Sequence, residues 1–87
     1  MPPMDQKQIL DVVVKHLRQN VEQLEDREID PSRSMADYGA SSLDIVEVVS
    51  ATMREIGLRV PRTQLAGIEN INQLVALLAR LKNEPAT

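Results

Sequence analysis

The sequence predicts an all-α fold, a small four-helix bundle of three long helices and one short one with a long loop after the first helix, and three observations carry that prediction. Apolar residues recur at three- and four-residue spacing over three separate stretches. Tyr38 is the only aromatic residue, so the 43% hydrophobic content is almost wholly aliphatic, a composition that favours packed helices over a sheet. Proline and glycine stand at the ends of the apolar stretches, where helices start and stop.

The first helix is predicted from about Asp5 to Asn20, because Ile9, Val12, Val13, Leu17 and Val21 form an apolar stripe with Asp11, Lys15 and Arg18 between them. Asp5 followed three residues later by Gln8 resembles a capping box, and Met1 to Met4, with two prolines, reads as a frayed lead-in. From Glu22 to Tyr38 the pattern turns polar, and Asp30-Pro31 breaks any helix because the residue before proline is driven out of the α region. So long a loop in so short a chain needs anchors, and Leu24, Ile29, Met35 and Tyr38 are the candidates, with a turn of helix expected near Ser34. Leu43, Val46, Val49, Met53 and Ile56, with Ile45, Val48 and Thr52 on an adjoining stripe, predict the most apolar helix, ending near Gly57. Pro61 at a first helical position and Gly67 past the end predict a very short third helix. In the last helix Asn70 is placed to cap, Gln73 sits three residues on, Ile71, Leu74, Val75, Leu78 and Leu81 form the inner face, and Pro85 lies beyond.

The 87 residues are expected to form a single domain, 1–87, with an ordered core of about 5–82. With no cysteine the chain has no disulfide, thiolate metal site or cysteine nucleophile, and His16, the one histidine, has no second imidazole to build a metal site or triad with, so a surface or boundary position is expected for it. A net charge of −3 with acids and bases interspersed gives no reason to expect nucleic acid. No apolar run approaches the roughly 18 residues that cross a bilayer, and the N-terminus has no signal-peptide pattern, so a soluble, cytoplasmic monomer without a membrane role is expected.

One stretch asks for chemistry. Gly39-Ala40-Ser41-Ser42 stands at the mouth of the apolar second helix, and Ser41-x-x-Asp44 is a capping-box variant in which Ser41 accepts from the Asp44 amide while Asp44 reaches back to the Ser41 amide. That leaves the hydroxyl of Ser42, the first helical residue, without a capping duty. It points outward among the free amides of a helix N-terminus, a favourable place for an attached phosphate. The stretch is not the nucleophile elbow Gly-x-Ser-x-Gly, since the second glycine is absent and no sheet exists to hold it.

"DYGASSLDIVEVV" resembles the phosphopantetheine-attachment signature of acyl carrier proteins, and "VPRTQLAGIENINQLVALLARL" is similar to that family's short third and closing fourth helices. The resemblance covers most of the chain. It implies a carrier and no enzyme: a phosphopantetheine arm, delivered from coenzyme A, on Ser42, with an acyl group held on it as a thioester. It also implies Leu43, Asp44, Val46 and Glu47 on the recognition surface. Partners implied are a phosphopantetheinyl transferase, an acyltransferase and ketosynthase-type or HMG-CoA-synthase-like enzymes. Two positions depart from the family pattern, Ser41 where Asp is usual and Tyr38 where Leu is usual.

Arg54, Arg59 and Arg62 gather where many carriers are acidic, either as a solvated mixed-charge surface or as a device that selects partners, with Arg62 at the entrance to the third helix. The serine-rich motif, this basic entrance and the polar tail resemble freestanding polyketide carriers, including those that donate an acetyl unit in β-branching. Carriers of fatty-acid synthesis and peptidyl or aminoacyl carriers stay open, as does, from another class, an unmodified helical adaptor docking through Leu43 and Val46. By the same resemblance Val48, Thr52, Val60 and Leu65 would line an acyl cleft between the second and third helices, where the Thr52 hydroxyl would disfavour long cargo unless it bonds back to the Val48 carbonyl.

Overall fold

Among the described residues four α-helices follow one another: α1 (Gln6–Asn20), α2 (Ser42–Ile56), α3 (Arg62–Leu65) and α4 (Ile71–Asn83). Single 3-10 turns at Glu22–Leu24 and Ala36–Tyr38 interrupt the connection between α1 and α2. This computed structural model describes residues 5–24, 27–65 and 67–83, with the side chains of Gln23 and Arg62 excepted, so the lead-in Met1 to Met4 and Pro85 lie outside the described residues. The bundle is the one predicted from the periodicity, and no strand occurs among the described residues.

Each long helix is started by its own side chains. At α1 the Gln8 amide donates to Asp5 Oδ1 at 2.8 Å while the Asp5 amide donates to Gln8 Oε1 at 2.9 Å, so two of the otherwise unpartnered N-terminal donors are satisfied reciprocally. At α4 Asn70 Oδ1 accepts from the Gln73 amide, but Gln73 Oε1 takes the Glu69 amide, one residue earlier than a capping box requires. The short third helix begins one residue later than predicted, with Pro61 just ahead of it accepting the Gln64 amide.

α1 packs against both α2 and α4. Ile9, Val13 and Leu17 of α1 meet Val48, Val49 and Ile56 of α2 and Ile71, Leu74, Val75 and Leu78 of α4 in one aliphatic core. Burying each such side chain contributes roughly 1.5–3 kcal/mol against the entropy of ordering the chain. Of the predicted inner face of α4, Leu81 is only partly buried, and Ala79 is buried in the core instead.

The long connection is anchored where the sequence placed its apolar residues. Leu24, Met35 and Tyr38 are buried and Ile29 is half-buried. Tyr38 does more than pack: its Oη accepts the Asp30 amide at 2.6 Å, and the Arg27 guanidinium lies 5.2 Å from its ring centroid, a cation–π distance. Asp30 in turn accepts from the Ser32 hydroxyl and amide, which hold its carboxyl below the usual range. The connection then serves α4, because the Asn72 amide donates to Pro31 O at 2.8 Å and the Ile71 amide to Arg33 O at 3.0 Å.

His16 sits at the boundary, its side chain 14% exposed and its Nε2 2.9 Å from Glu55 Oε1, which Lys15 Nζ also contacts. These contacts fix the face of α2 that turns toward α1. Thr52, three residues before Glu55 on that face, is fully buried, and its Oγ1 has no hydrogen-bond partner among the described residues. The back-bond to the Val48 carbonyl is therefore not formed. Removing an unpartnered buried hydroxyl in favour of a methyl group of equal size recovers its desolvation cost.

Two outcomes follow from this packing. Thr52→Val should raise the free energy of unfolding by about 1–3 kcal/mol in a denaturant titration, and an unchanged or lowered midpoint would contradict an unpartnered hydroxyl. Glu55, held below its usual carboxyl range by hydrogen bonding to Lys15 and then to His16, stabilises the fold above its unfolded-state pKa and loses that contribution as the pH falls through the lowered, folded-state value. The wild-type chain should thus lose more stability on acidification than Glu55→Gln, as measured by melting temperature across the carboxylate range.

Candidate functional site

The approach to α2 is built from two consecutive Ser-x-x-Asp units. In the first, the Asp37 amide donates to Ser34 Oγ and the Ser34 amide to Asp37 Oδ2, each at 3.1 Å, closing the turn Ala36–Tyr38. Gly39 ends that turn at φ 90°, a left-handed conformation that costs a residue with a Cβ, and its amide donates to Ala36 O. In the second unit Ser41 is extended, with φ −77° and ψ 171°, its Oγ accepts the Asp44 amide at 3.1 Å, and its own amide donates to Asp44 Oδ2 at 2.9 Å. The second unit is the one predicted. The first carries the same spacing seven residues upstream and was legible by the same rule.

Ser41 being occupied, Ser42 opens α2 with an exposed side chain and no hydrogen bond from its hydroxyl among the described residues. Its position on the first turn surrounds it with amides that have no intrahelical acceptor, so an anionic group there meets the positive end of the helix dipole. Leu43 beside it is 72% exposed and Val46, one turn on, 48% exposed, leaving a small apolar patch open to solvent. Asp44 is half-buried with its carboxylate engaged at the cap, whereas Glu47 is exposed and makes no ion pair among the described residues. Thus α2 brings together Ser42, Leu43, Asp44, Val46 and Glu47. Arg62 stands apart at the start of α3, beyond the Gly57 cap, and its side chain lies outside the described residues.

An open cleft of about 640 Å³ runs beside α2. Ile45, Val46, Val49 and Met53 form its α2 wall, Val60, Leu65 and Ile68 the opposite wall, and Ser34, Ser50 and Asn70 add polar atoms. This corrects the expected lining: Val60 and Leu65 are there, but Val48 and Thr52 are fully buried in the core, on the face turned toward α1. The Thr52 hydroxyl therefore sets no limit on cargo in this cleft. The two apolar stripes of α2 are adjacent, and sequence periodicity marks both as buried without telling which of them meets α1.

The free hydroxyl, the anion-favouring helix end and the neighbouring cleft fit a phosphodiester-linked arm. Among the described residues no group of His, Cys, Asp and Glu side chains can hold a metal ion, and no helix is long and apolar enough to cross a membrane. Comparison with known proteins gives the arrangement its family. The phosphopantetheine attachment site family matches residues 11–78. An acyl carrier protein of Saccharopolyspora erythraea is 33% identical over 84 residues, 97% of this chain and 88% of the relative. The polyketide biosynthesis acyl carrier protein AcpK of Bacillus subtilis is 27% identical over 75 residues, 86% of this chain and 92% of the relative. Among solved structures, a chain in the crystal structure of the curacin biosynthetic pathway HMG synthase in complex with acetyl donor-ACP superposes with a TM-score of 0.83 at 32% identity, covering 88% of this chain and 99% of that one. With its four helices, its Ser-Ser start to α2 and these relatives, the chain belongs to the acyl carrier protein family, phosphopantetheine-bearing proteins that carry acyl groups and do not themselves catalyse.

Proposed function

We propose that Ser42 bears the phosphopantetheine arm and that the chain carries a short acyl group, of acetyl or malonyl size, in polyketide biosynthesis. The observation that carries the assignment of the residue is the reciprocal cap at Ser41, which consumes one of two adjacent hydroxyls and leaves the other exposed at the helix start. The arm supplies a terminal thiol, and so a thioester, to a protein without cysteine. Its length lets one cargo reach several active sites at high effective concentration. Leu43 and Val46 serve as the apolar anchor for partners, with Asp44 and Glu47 as polar rim and Arg62 as a further contact. Partners of this kind are a phosphopantetheinyl transferase, an acyltransferase and ketosynthase-type enzymes. The likeness to the acetyl donor solved with an HMG synthase, together with the polyketide carrier relative, supports an HMG-CoA-synthase-like acceptor and an acetyl cargo.

The apolar walls of the cleft favour a second reading, a cargo of medium length folded back against Ile45, Val49 and Met53. Each buried methylene would contribute up to ~0.8 kcal/mol.

Incubation with coenzyme A and a broad-specificity phosphopantetheinyl transferase should add one arm, detected by intact mass. Ser42→Ala should abolish the addition, while Ser41→Ala should keep it and lose about 0.5–2 kcal/mol of stability with its cap. Peptide mapping that located the arm on Ser41 would overturn the assignment. For the cargo, a thermal series of acetyl, butyryl, hexanoyl and octanoyl forms separates the two readings. A short cargo held outside the bundle predicts a nearly flat melting temperature, and a steady rise with each methylene would establish the cleft as its seat.

A further inference from the structure

Along the outward side of α2, the exposed residues Leu43, Glu47 and Arg54 follow at intervals of four and seven residues, the spacing of a single helix face, with Ser50 half-buried between them at the edge of the cleft. The stripe begins apolar, turns acidic and ends basic. Glu47 and Arg54 are both exposed, and seven residues separate them, two turns or about 10 Å along the axis. Neither charge is neutralised by its own helix. Positions three and four residues from Glu47 hold Leu43, Asp44, Ser50 and Ala51, with no base, and those around Arg54 hold Ser50, Ala51, Gly57 and Leu58, with no acid. Glu55, the acid next to Arg54 in sequence, is turned to the α1 side and occupied by Lys15 and His16. Arg59, just past the Gly57 cap, is a second exposed base, and among the described residues neither arginine has an ion pair. A base in the last turn of a helix gains from the helix dipole, which accounts for Arg54 alone. The dipole falls off within that turn and gives Arg59 nothing.

We infer that this stripe is a polar docking face that fixes the direction in which α2 meets the acyl-accepting enzyme. The occupant is an enzyme whose surface near its arm entrance presents an apolar pocket for Leu43, a basic group opposite Glu47, and an acidic group about 10 Å farther along, opposite Arg54 and Arg59. A surface of uniformly basic charge, suited to an acidic helix, meets like charge at the far end and is rejected; so is docking with α2 reversed. The inference rests on α2 being the docking helix of the proposed carrier and adds the partner's charge pattern to it.

The test compares wild type with Arg54→Gln/Arg59→Gln and Arg54→Glu/Arg59→Glu, each first loaded with an acetyl-phosphopantetheine arm to the same extent by intact mass and checked for helix content and melting temperature. Acetyl transfer to an HMG-CoA-synthase-like enzyme is then followed over a range of salt. The neutral pair should lower kcat/KM several-fold and the reversed pair by about tenfold or more, through KM with kcat kept, and added salt should narrow the difference. Loss of transfer that salt does not narrow would mean a role in folding or packing and would overturn the inference. Equal transfer by wild type and reversed pair would overturn it too, leaving the carrier reading intact. A loaded wild-type chain that delivers to no such enzyme would remove the proposed acceptor, and with it the partner described here.

Discussion

The reciprocal pair between Ser41 and Asp44 sets the start of α2, and everything this molecule presents to others depends on that start. A helix has about 3.6 residues per turn, so the packed face of α2 fixes the bearing of its side chains, and the cap decides which of them stand on its exposed first turn. With Ser41 held outside the helix, Ser42 faces solvent, Leu43 and Val46 stand out from the surface, and Val48, Thr52 and Ile56 are carried into the core. A start displaced by one residue would put Ser42 itself at the cap and engage the hydroxyl that is now exposed. The cap is thus a positional device as well as a source of stability.

The connection before it performs comparable work with little secondary structure of its own. In a chain with one aromatic residue, that residue is placed where its ring can be buried and its hydroxyl can accept a loop amide. The loop carbonyls of Pro31 and Arg33 then accept the first amides of α4, so the segment closes one helix end while delivering the chain to the start of another. The same loop contributes Ser34, Met35 and Ala36 to the rim of the cleft. Packing, capping and site are in this way carried by one anchored segment, which explains why a long loop is tolerated in so small a bundle.

α2 divides its surface among three duties. One face meets α1 through Val48, Thr52 and the Glu55 cluster; a second walls the cleft through Ile45, Val49 and Met53; a third looks to solvent and carries charge of both signs. A carrier has to offer its arm to several enzymes in turn, and a protein without catalytic groups can select among them only by shape and charge on that outward face. The unpartnered hydroxyl of Thr52, in contrast, lies on the face no partner reaches, and its effect is on stability.

The sequence by itself determined the long helices, the starts of α1 and α2 and which of two adjacent hydroxyls the cap leaves unused, because these are local: the Asp5-x-x-Gln8 and Ser41-x-x-Asp44 spacings, the stop at Gly57 and the apolar recurrence of α1, α2 and α4 need only near neighbours to act. The anchors Leu24, Met35 and Tyr38 were legible for the same reason, as isolated apolar residues in a polar run. What only the tertiary structure decided is which of two adjoining apolar stripes on α2 meets α1 and which walls the cleft. Periodicity reports that a side chain avoids water and is silent about what replaces the water; the family resemblance pointed to Val48 and Thr52 as lining of an acyl cleft, and they lie in the core instead. The pairing of Glu55 with Lys15 and His16 was hidden likewise, since about forty residues separate the partners in the chain and only the packing of α1 on α2 brings them within hydrogen-bond distance.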